Sequence, residues 1–447
     1  MSEVCVFEWR YGSNEMRRIF SRENILRKYI EVEMTLARAL SELSVIPSEC
    51  YRELLECSRN VNPEKINAYE KLYGHEINAM ISAIERECGN CGRFIHYGAS
   101  SGDIIDSAWI LILRESLEVI KSKLRRILER LADLSNYYRD LIVIGRTHGQ
   151  HAEPITLGFK FANYLYEISR SYERICDSEK RVLKCKISGA VGVMGAWEDK
   201  GLEIEKLFSR YIGLPTHEIS TQIYSRDGFA EIAFIMAILA SQIDRFALEI
   251  RELSRSEINE VYELSKGYDS SSMPHKRNPM RSERISGLAR VARSLSTAFL
   301  ENIVIMHERD LTNMSSERIL IPHLFLTIDQ MLEDFTRLLE EIKIDKRSIE
   351  RNLNLSRGVI FSERIALKLV ERGVSREEAF RKLHEISMKT ISSERDFKDI
   401  LLEDDLIRRY FSIEEIEKLL KPESYLGSYK EIIGRAVEYY LNAVNRC

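Results

Sequence analysis

The sequence predicts an all-α protein, and three observations carry that reading. Glycine and proline, which punctuate helices, are absent between Gly102 and Gly145, between Gly228 and Gly267, and between Gly287 and Pro322. Within the first gap, Ile104, Ile105, Ala108, Leu111, then Leu117, Ile120, Leu124, Ile127, Leu128, Leu131 and Leu134 recur at helical spacing. No strand-rich stretch, internal repeat or low-complexity linker interrupts the chain.

The elements follow in order. Residues 1–100, broken by Pro47, Pro63, Gly74, Gly89 and Gly98, read as an N-terminal helical domain of short pieces. Residues 101–351 read as a central long-helix bundle. Each punctuation-free gap has room for a helix of about 35–40 residues, roughly 50–60 Å long. Ile232 to Leu248 is apolar around most of its circumference and has to be covered on several sides, which favours association of subunits. Residues 352–447, punctuated by Gly358, Gly373, Pro422, Gly427 and Gly434, read as a C-terminal helical domain.

Composition bounds the function. The 447 residues are 44% apolar, enough for large cores, and 66 basic against 70 acidic side chains leave a net charge of −4. That balance argues against a nucleic-acid-coating protein, while local arginines can still hold a small anion. No segment reaches the roughly 18 apolar residues of a membrane span. Met1–Arg10 carries Glu3 and Glu8 rather than an apolar leader, so the expected compartment is the cytoplasm. Eight scattered cysteines are expected as free thiols or one local disulfide rather than a metal site, because Cys88 and Cys91 lack a second pair at zinc spacing. Four glutamines and 30% charged residues fit a thermophile, in which intracellular disulfides occur.

One stretch breaks the helical periodicity. Gly267–Pro279 (GYDSSSMPHKRNP) packs hydroxyls, a lysine, an asparagine and two prolines between helices, the composition of a donor-rich loop able to clamp an anion. Its part Ser270–Pro279 resembles the signature loop of the fumarase/aspartase superfamily. Gly145–Pro154 (GRTHGQHAEP) is similar to that family's histidine segment, and Ile95–Asp103 (IHYGASSGD) resembles its hydroxyl-rich segment. Gly74-His75-Glu76, Arg10-Tyr11 and His307–Arg318 resemble the branch that cleaves adenylosuccinate. The matches run from Arg10 through Leu355–Ser362.

The resemblance implies three helical domains whose long helices assemble, four chains together, into a tetrameric twenty-helix core with active sites shared between subunits. It implies β-elimination of fumarate without metal or organic cofactor, since the substrate carboxylate is the electron sink. Removing a proton beside a carboxylate builds a dianion-like group, which needs preorganised donors. Lys276 and Asn278 match those donors. Ser270 matches the general base, which must ionise among cations. His148 matches the acid that protonates the leaving nitrogen, Glu283 its carboxylate partner, and His75 a first-domain histidine with a substrate-binding or catalytic part. His96, Ser100, Ser101 and Gln222 match residues that hold the succinyl and nucleotide portions. Arg10, Tyr11, Arg309, Ser315 and Arg318 resemble the group that receives the phosphate. His151 and His275 are expected to tune geometry, and His217, His307, His323 and His384 to be structural.

The sequence departs from the family at Asp269 (usually glycine), Glu76 (usually Asp), Ser100 (usually Thr) and Met314 (often Ser). Two other readings compete. One is a sister lyase acting on argininosuccinate, aspartate or malate, opposed by Arg10-Tyr11 and His75. The other is an inactive helical scaffold, opposed by retention of Ser270, Lys276, Asn278 and His148.

Overall fold

A computed structural model describes residues 4–264 and 272–447. Ser270 and Asp269 therefore lie outside the described residues. The chain is predominantly helical, and the described strands form two short antiparallel pairs. No described helix is long and apolar enough to cross a membrane.

The first hundred residues hold α1 (Arg22–Glu42), α2 (Ser48–Cys57) and α3 (Glu76–Glu87) among shorter pieces. Ser21 caps α1 by accepting the Asn24 N–H, and Leu26, Tyr29, Leu36 and Leu40 form its buried stripe. Five long helices follow: α4 (Ser101–Tyr137), α5 (Leu157–Val182), α6 (Asp227–Leu253), α7 (Met280–Glu301) and α8 (Thr312–Glu341). Strands β1 (Ile142–Thr147) and β2 (Gln150–Thr156) form a hairpin between α4 and α5, and β3 (Val261–Glu263) pairs with β4 (Ile342–Ile344).

The first punctuation-free gap is filled by α4, 37 residues long. The other two gaps hold less helix than their spacing allows. Helix α6 stops after 27 residues at Leu253, where the Glu260 N–H returns to the Leu253 carbonyl and closes a turn. Helix α7 ends at Glu301, and Asp310 holds the loop of 302–311 that follows: its carboxylate accepts the Met306 N–H at 2.9 Å and the Thr312 N–H at 2.8 Å. Pro322, expected to end a helix, lies inside α8 instead. The two strand pairs are likewise absent from the sequence reading, since β1 and β2 do not alternate in burial and β3 and β4 have three residues each.

The fold divides into two compact units. The first comprises residues up to Leu124 with Ser171–Ser241 and Gly287–Glu333; the second comprises Arg125–Arg170, Gln242–Ser286 and Asp334–Cys447. In the second, Phe246 is the hub of an aromatic cluster with Tyr164 at 4.9 Å, Phe335 at 5.0 Å and Phe161 at 6.3 Å between ring centroids. Its C-terminal helices enclose a further core of Ile365, Leu369, Leu383, Phe397, Leu401 and Ile416.

The cysteines correct the expectation of free thiols or one local disulfide. Cys50 is bonded to Cys91 and Cys57 to Cys88, so both ends of α2 are stapled to the turn that leads into His96. Cys5 and Cys185 are free. Closing a loop of 41 residues stabilises the fold by about 4 kcal/mol in the chain-entropy account, and the nested second bond adds less. Replacing Cys57 and Cys88 by serine should lower the unfolding free energy by about 2–4 kcal/mol under oxidising conditions, measured by denaturant titration, and by nothing under strong reductant.

Candidate active site

The family-matching residues fall into two groups, one in each unit. In the first unit, His75 is the N-cap of α3. Its Nδ1 accepts the Asn78 N–H at 3.3 Å, and the ring is exposed. Gly74, at φ +65, supplies the left-handed turn that brings the chain into the cap. The next residue, Glu76, is buried and pairs with Arg22 (3.0 Å) and Arg318, while Arg22 also binds Glu70 at 2.5 Å. Arg318 is thus held beside His75 by a carboxylate, instead of lying free on α8. The Tyr29 phenol is pushed above its ordinary pKa by burial and then by the Glu76 charge.

Ser101, Gln222 and Arg309 converge. One Arg309 guanidinium nitrogen donates to Ser101 Oγ and to Gln222 Oε1, each at 2.8 Å, and Gln222 Nε2 donates to the Ala190 carbonyl at 2.8 Å. Below them Arg226 is buried between Asp106 (2.8 Å) and Glu317 (2.9 Å). Burial raises the Glu317 carboxyl above its usual range even though Arg226 opposes it.

Ser100 is bonded to Asp103. Its N–H and Oγ donate to Asp103 at 2.7 and 3.0 Å, and that carboxylate also receives the Ser188 N–H, the Gly189 N–H and the Lys186 ammonium. His96 has φ +60 and is bound to Glu33 through its ring, at 2.6 Å, and its backbone. Arg10 lies over the Tyr11 ring at 5.8 Å. The segment after them docks on α8, with the Gly12 N–H to Gln330 (3.0 Å) and the Ser13 N–H to Asp329 (2.6 Å). A side chain at Gly12 would meet Leu326 at 2.8 Å, so the close approach requires glycine. Ser315 is exposed near the start of α8.

The second unit holds the other group. His148 and Gly149, at φ +53 and +73, form the two-residue turn between β1 and β2, so His148 stands exposed at the hairpin tip. Arg146 fixes the tip from behind: its guanidinium meets the buried Glu260 at 2.5 and 3.0 Å, and Asn352 donates to the same carboxylate at 2.8 Å. Burial, with Arg146 beside it, lowers the His151 pKa. His151 lines a cleft of about 990 Å³ between the hairpin and residues 355–363. Glu153 lies in the same cleft with its carboxyl raised to about 7 by a hydrogen bond with Glu363 and by burial.

Lys276, Asn278 and His275 line a second cleft of about 510 Å³ with Tyr262 and Asn259. Arg277 lies over the Tyr262 ring at 4.2 Å. Glu283 is exposed in the first turn of α7, whose opening N–H groups, Arg281 and Ser282, are capped by Glu263 at 3.0 and 2.8 Å. His148 and Glu283 make no hydrogen bond to each other among the described residues, so the expected pair does not form within one chain.

Sequence reading missed the supports: Glu33, Asp103, the Asp106–Arg226–Glu317 triad and Glu260. A signal existed for three of these acids. Glu33 sits in the apolar stripe Leu26, Tyr29, Leu36, Leu40, and Asp103 and Asp106 interrupt that of α4, where a carboxylate has to be paired.

The family model described as Lyase matches residues 10–293, so fold and site define a helical lyase. The model described as Adenylosuccinate lyase C-terminus matches residues 358–436. An adenylosuccinate lyase of Pyrococcus abyssi is 41% identical over 98% of both chains, and one of Methanocaldococcus jannaschii 38% identical over 98% of this chain and 96% of that one. The crystal structure of a fumarate lyase from Mesorhizobium sp. BNC1 superposes with a TM-score of 0.89 at 25% identity, covering 98% of this chain and all of the other. The chain belongs to the adenylosuccinate lyase family.

Arg226→Met should destabilise the fold by about 3–5 kcal/mol at pH 8, because two buried carboxylates lose their cation. The loss should shrink towards pH 5, where one carboxyl takes up a proton, as denaturant titration at the two pH values would show.

Proposed function

We propose that this protein removes fumarate from adenylosuccinate, giving AMP, and from the succinyl-aminoimidazole-carboxamide ribotide, giving AICAR, in purine biosynthesis in the cytoplasm. The observation that carries the reading is the relationship over nearly the whole chain to proteins named adenylosuccinate lyase. The gathering of Ser101, Gln222 and Arg309 supports it, since this cluster offers a guanidinium and hydroxyl to an anionic nucleotide.

In this reading Ser270 takes the proton from the carbon beside the succinyl carboxylate. Lys276 and Asn278 receive the charge that spreads into that carboxylate. The C–N bond then breaks, its electrons passing to the nitrogen as the carbon–carbon double bond of fumarate forms, and His148 supplies the proton to the leaving nitrogen. His75, whose Nδ1 is occupied by the α3 cap, offers Nε2 to the substrate. Arg10, Tyr11, Ser315 and Arg318 surround the phosphate, and His96 and Ser100 complete the nucleotide-binding half.

The protein works as a homotetramer with each site drawn from several chains. Two features support this assembly. The pair expected of His148 and Glu283 is open within the chain, and α6 leaves Phe234, Ile238 and Leu248 exposed along one face of a helix buried elsewhere. Among the described residues no acidic, histidine and cysteine group of metal-binding form occurs, and the scheme routes no step through a metal.

Purified protein should consume adenylosuccinate with fumarate as product. His148→Gln and Ser270→Ala should each lower kcat by about 10²–10⁴-fold with assembly intact. Activity confined to argininosuccinate, aspartate or malate would move the protein to another branch, and silence on all of them would make it a scaffold.

A further inference from the structure

We propose that Glu33 is a positioning residue that holds His96 as an imidazolium, so that Nε2–H of this ring is a charged donor to an anionic oxygen of the nucleotide substrate. The inference rests on the reading of His96 as a substrate-contacting residue.

Glu33 is 1% exposed, on the apolar stripe of α1. Both of its oxygens are committed to one residue: Oε1 lies 2.6 Å from His96 Nδ1, and Oε2 accepts the His96 N–H at 3.2 Å. His96 is its one ion-pair partner among the described residues. A buried carboxylate without a cation is costly, and a neutral imidazole would leave it so. The double contact also clamps the left-handed backbone at His96.

The surroundings agree in sign. Burial alone would disfavour the charged ring, but Glu33 and then Asp103, facing it from α4, outweigh burial and hold the His96 pKa above the ordinary histidine value. The charge of Asp103 is itself matched by Lys186. With Nδ1–H directed at Glu33, the ring cannot act as a base through that nitrogen. Its remaining function is donation through Nε2–H on a side chain that keeps 17% of its surface exposed.

The test compares Glu33→Gln, which keeps the shape and removes the charge, with His96→Gln and the unmodified enzyme. In Glu33→Gln the His96 ring, followed by histidine-selective NMR and assigned by its loss in His96→Gln, should titrate at lower pH than in the unmodified protein. KM for adenylosuccinate should rise about tenfold at pH 8, the loss of one charge-assisted hydrogen bond. The defect should shrink as the pH falls and His96 regains its proton, with kcat changed less than about twofold. A His96 ring that titrates alike in both proteins, or a KM defect that is the same from pH 6 to pH 8, would overturn the proposal. An unchanged KM in His96→Gln would overturn the site reading beneath it while leaving the titration result standing. If Glu33→Gln does not fold, the unmodified protein decides: a His96 ring titrating at or below about 6.5 would refute the imidazolium.

Discussion

The carboxylate of Asp103 is the interaction on which the nucleotide-facing half of the molecule depends. It is fully buried and takes five hydrogen bonds, from Ser100 N–H and Oγ, Ser188 N–H, Gly189 N–H and the Lys186 ammonium. These tie the first turn of α4 to the loop after α5. That loop then carries the bond from Gln222 to the Ala190 carbonyl, and the Ser188 hydroxyl meets Ser220 at 3.0 Å. The position of Ser101, Gln222 and Arg309 is thus set by a charge that no ligand reaches. Buried polar networks of this kind are costly when broken, which makes them rigid supports.

The same device recurs around several candidate residues. Glu33 stands behind His96, Glu76 behind Arg318, Glu260 behind Arg146 at the foot of the His148 turn, and Glu263 at the head of α7, which carries Glu283. Residues that would touch substrate sit on turns and helix ends, and the carboxylates that hold them sit on the helices and strands beneath. Such ends offer unpaired donors and mobile side chains, and the charges below supply the preorganisation that electrostatic catalysis requires. The two groups nevertheless occupy separate units, each built around its own core.

Much of this was legible in the sequence. The spacing of Ile104 to Leu134 located α4, which extends three residues further at each end, because a long amphipathic period is hard to produce by chance. The histidine segments were legible through their resemblance to the family's motifs, and the loop of Gly267–Pro279 through its composition. The hairpin that carries His148 was not legible, since two strands of six and seven residues joined by a two-residue turn leave no periodic trace. Nor was the break at 302–311, a loop in which one aspartate holds two backbone N–H groups, an arrangement of local geometry. Pairings such as Glu76 with Arg318, 242 residues apart, are set by tertiary packing and escape any reading of local pattern. The bonds Cys50–Cys91 and Cys57–Cys88 escaped it for the same reason.

The division of candidate residues between two units, with the acid at His148 in one and the nucleotide cluster at Arg309 in the other, makes one measurement decisive. His148→Gln and Arg309→Met proteins, each nearly inactive, would be co-expressed in equal amounts and assayed on adenylosuccinate as mixed oligomers. Sites built from different chains predict recovery of about a quarter of the unmodified activity, since that share of sites receives both native halves. Mixed oligomers no more active than the separate variants would mean that each chain closes its own site, contradicting the shared assembly.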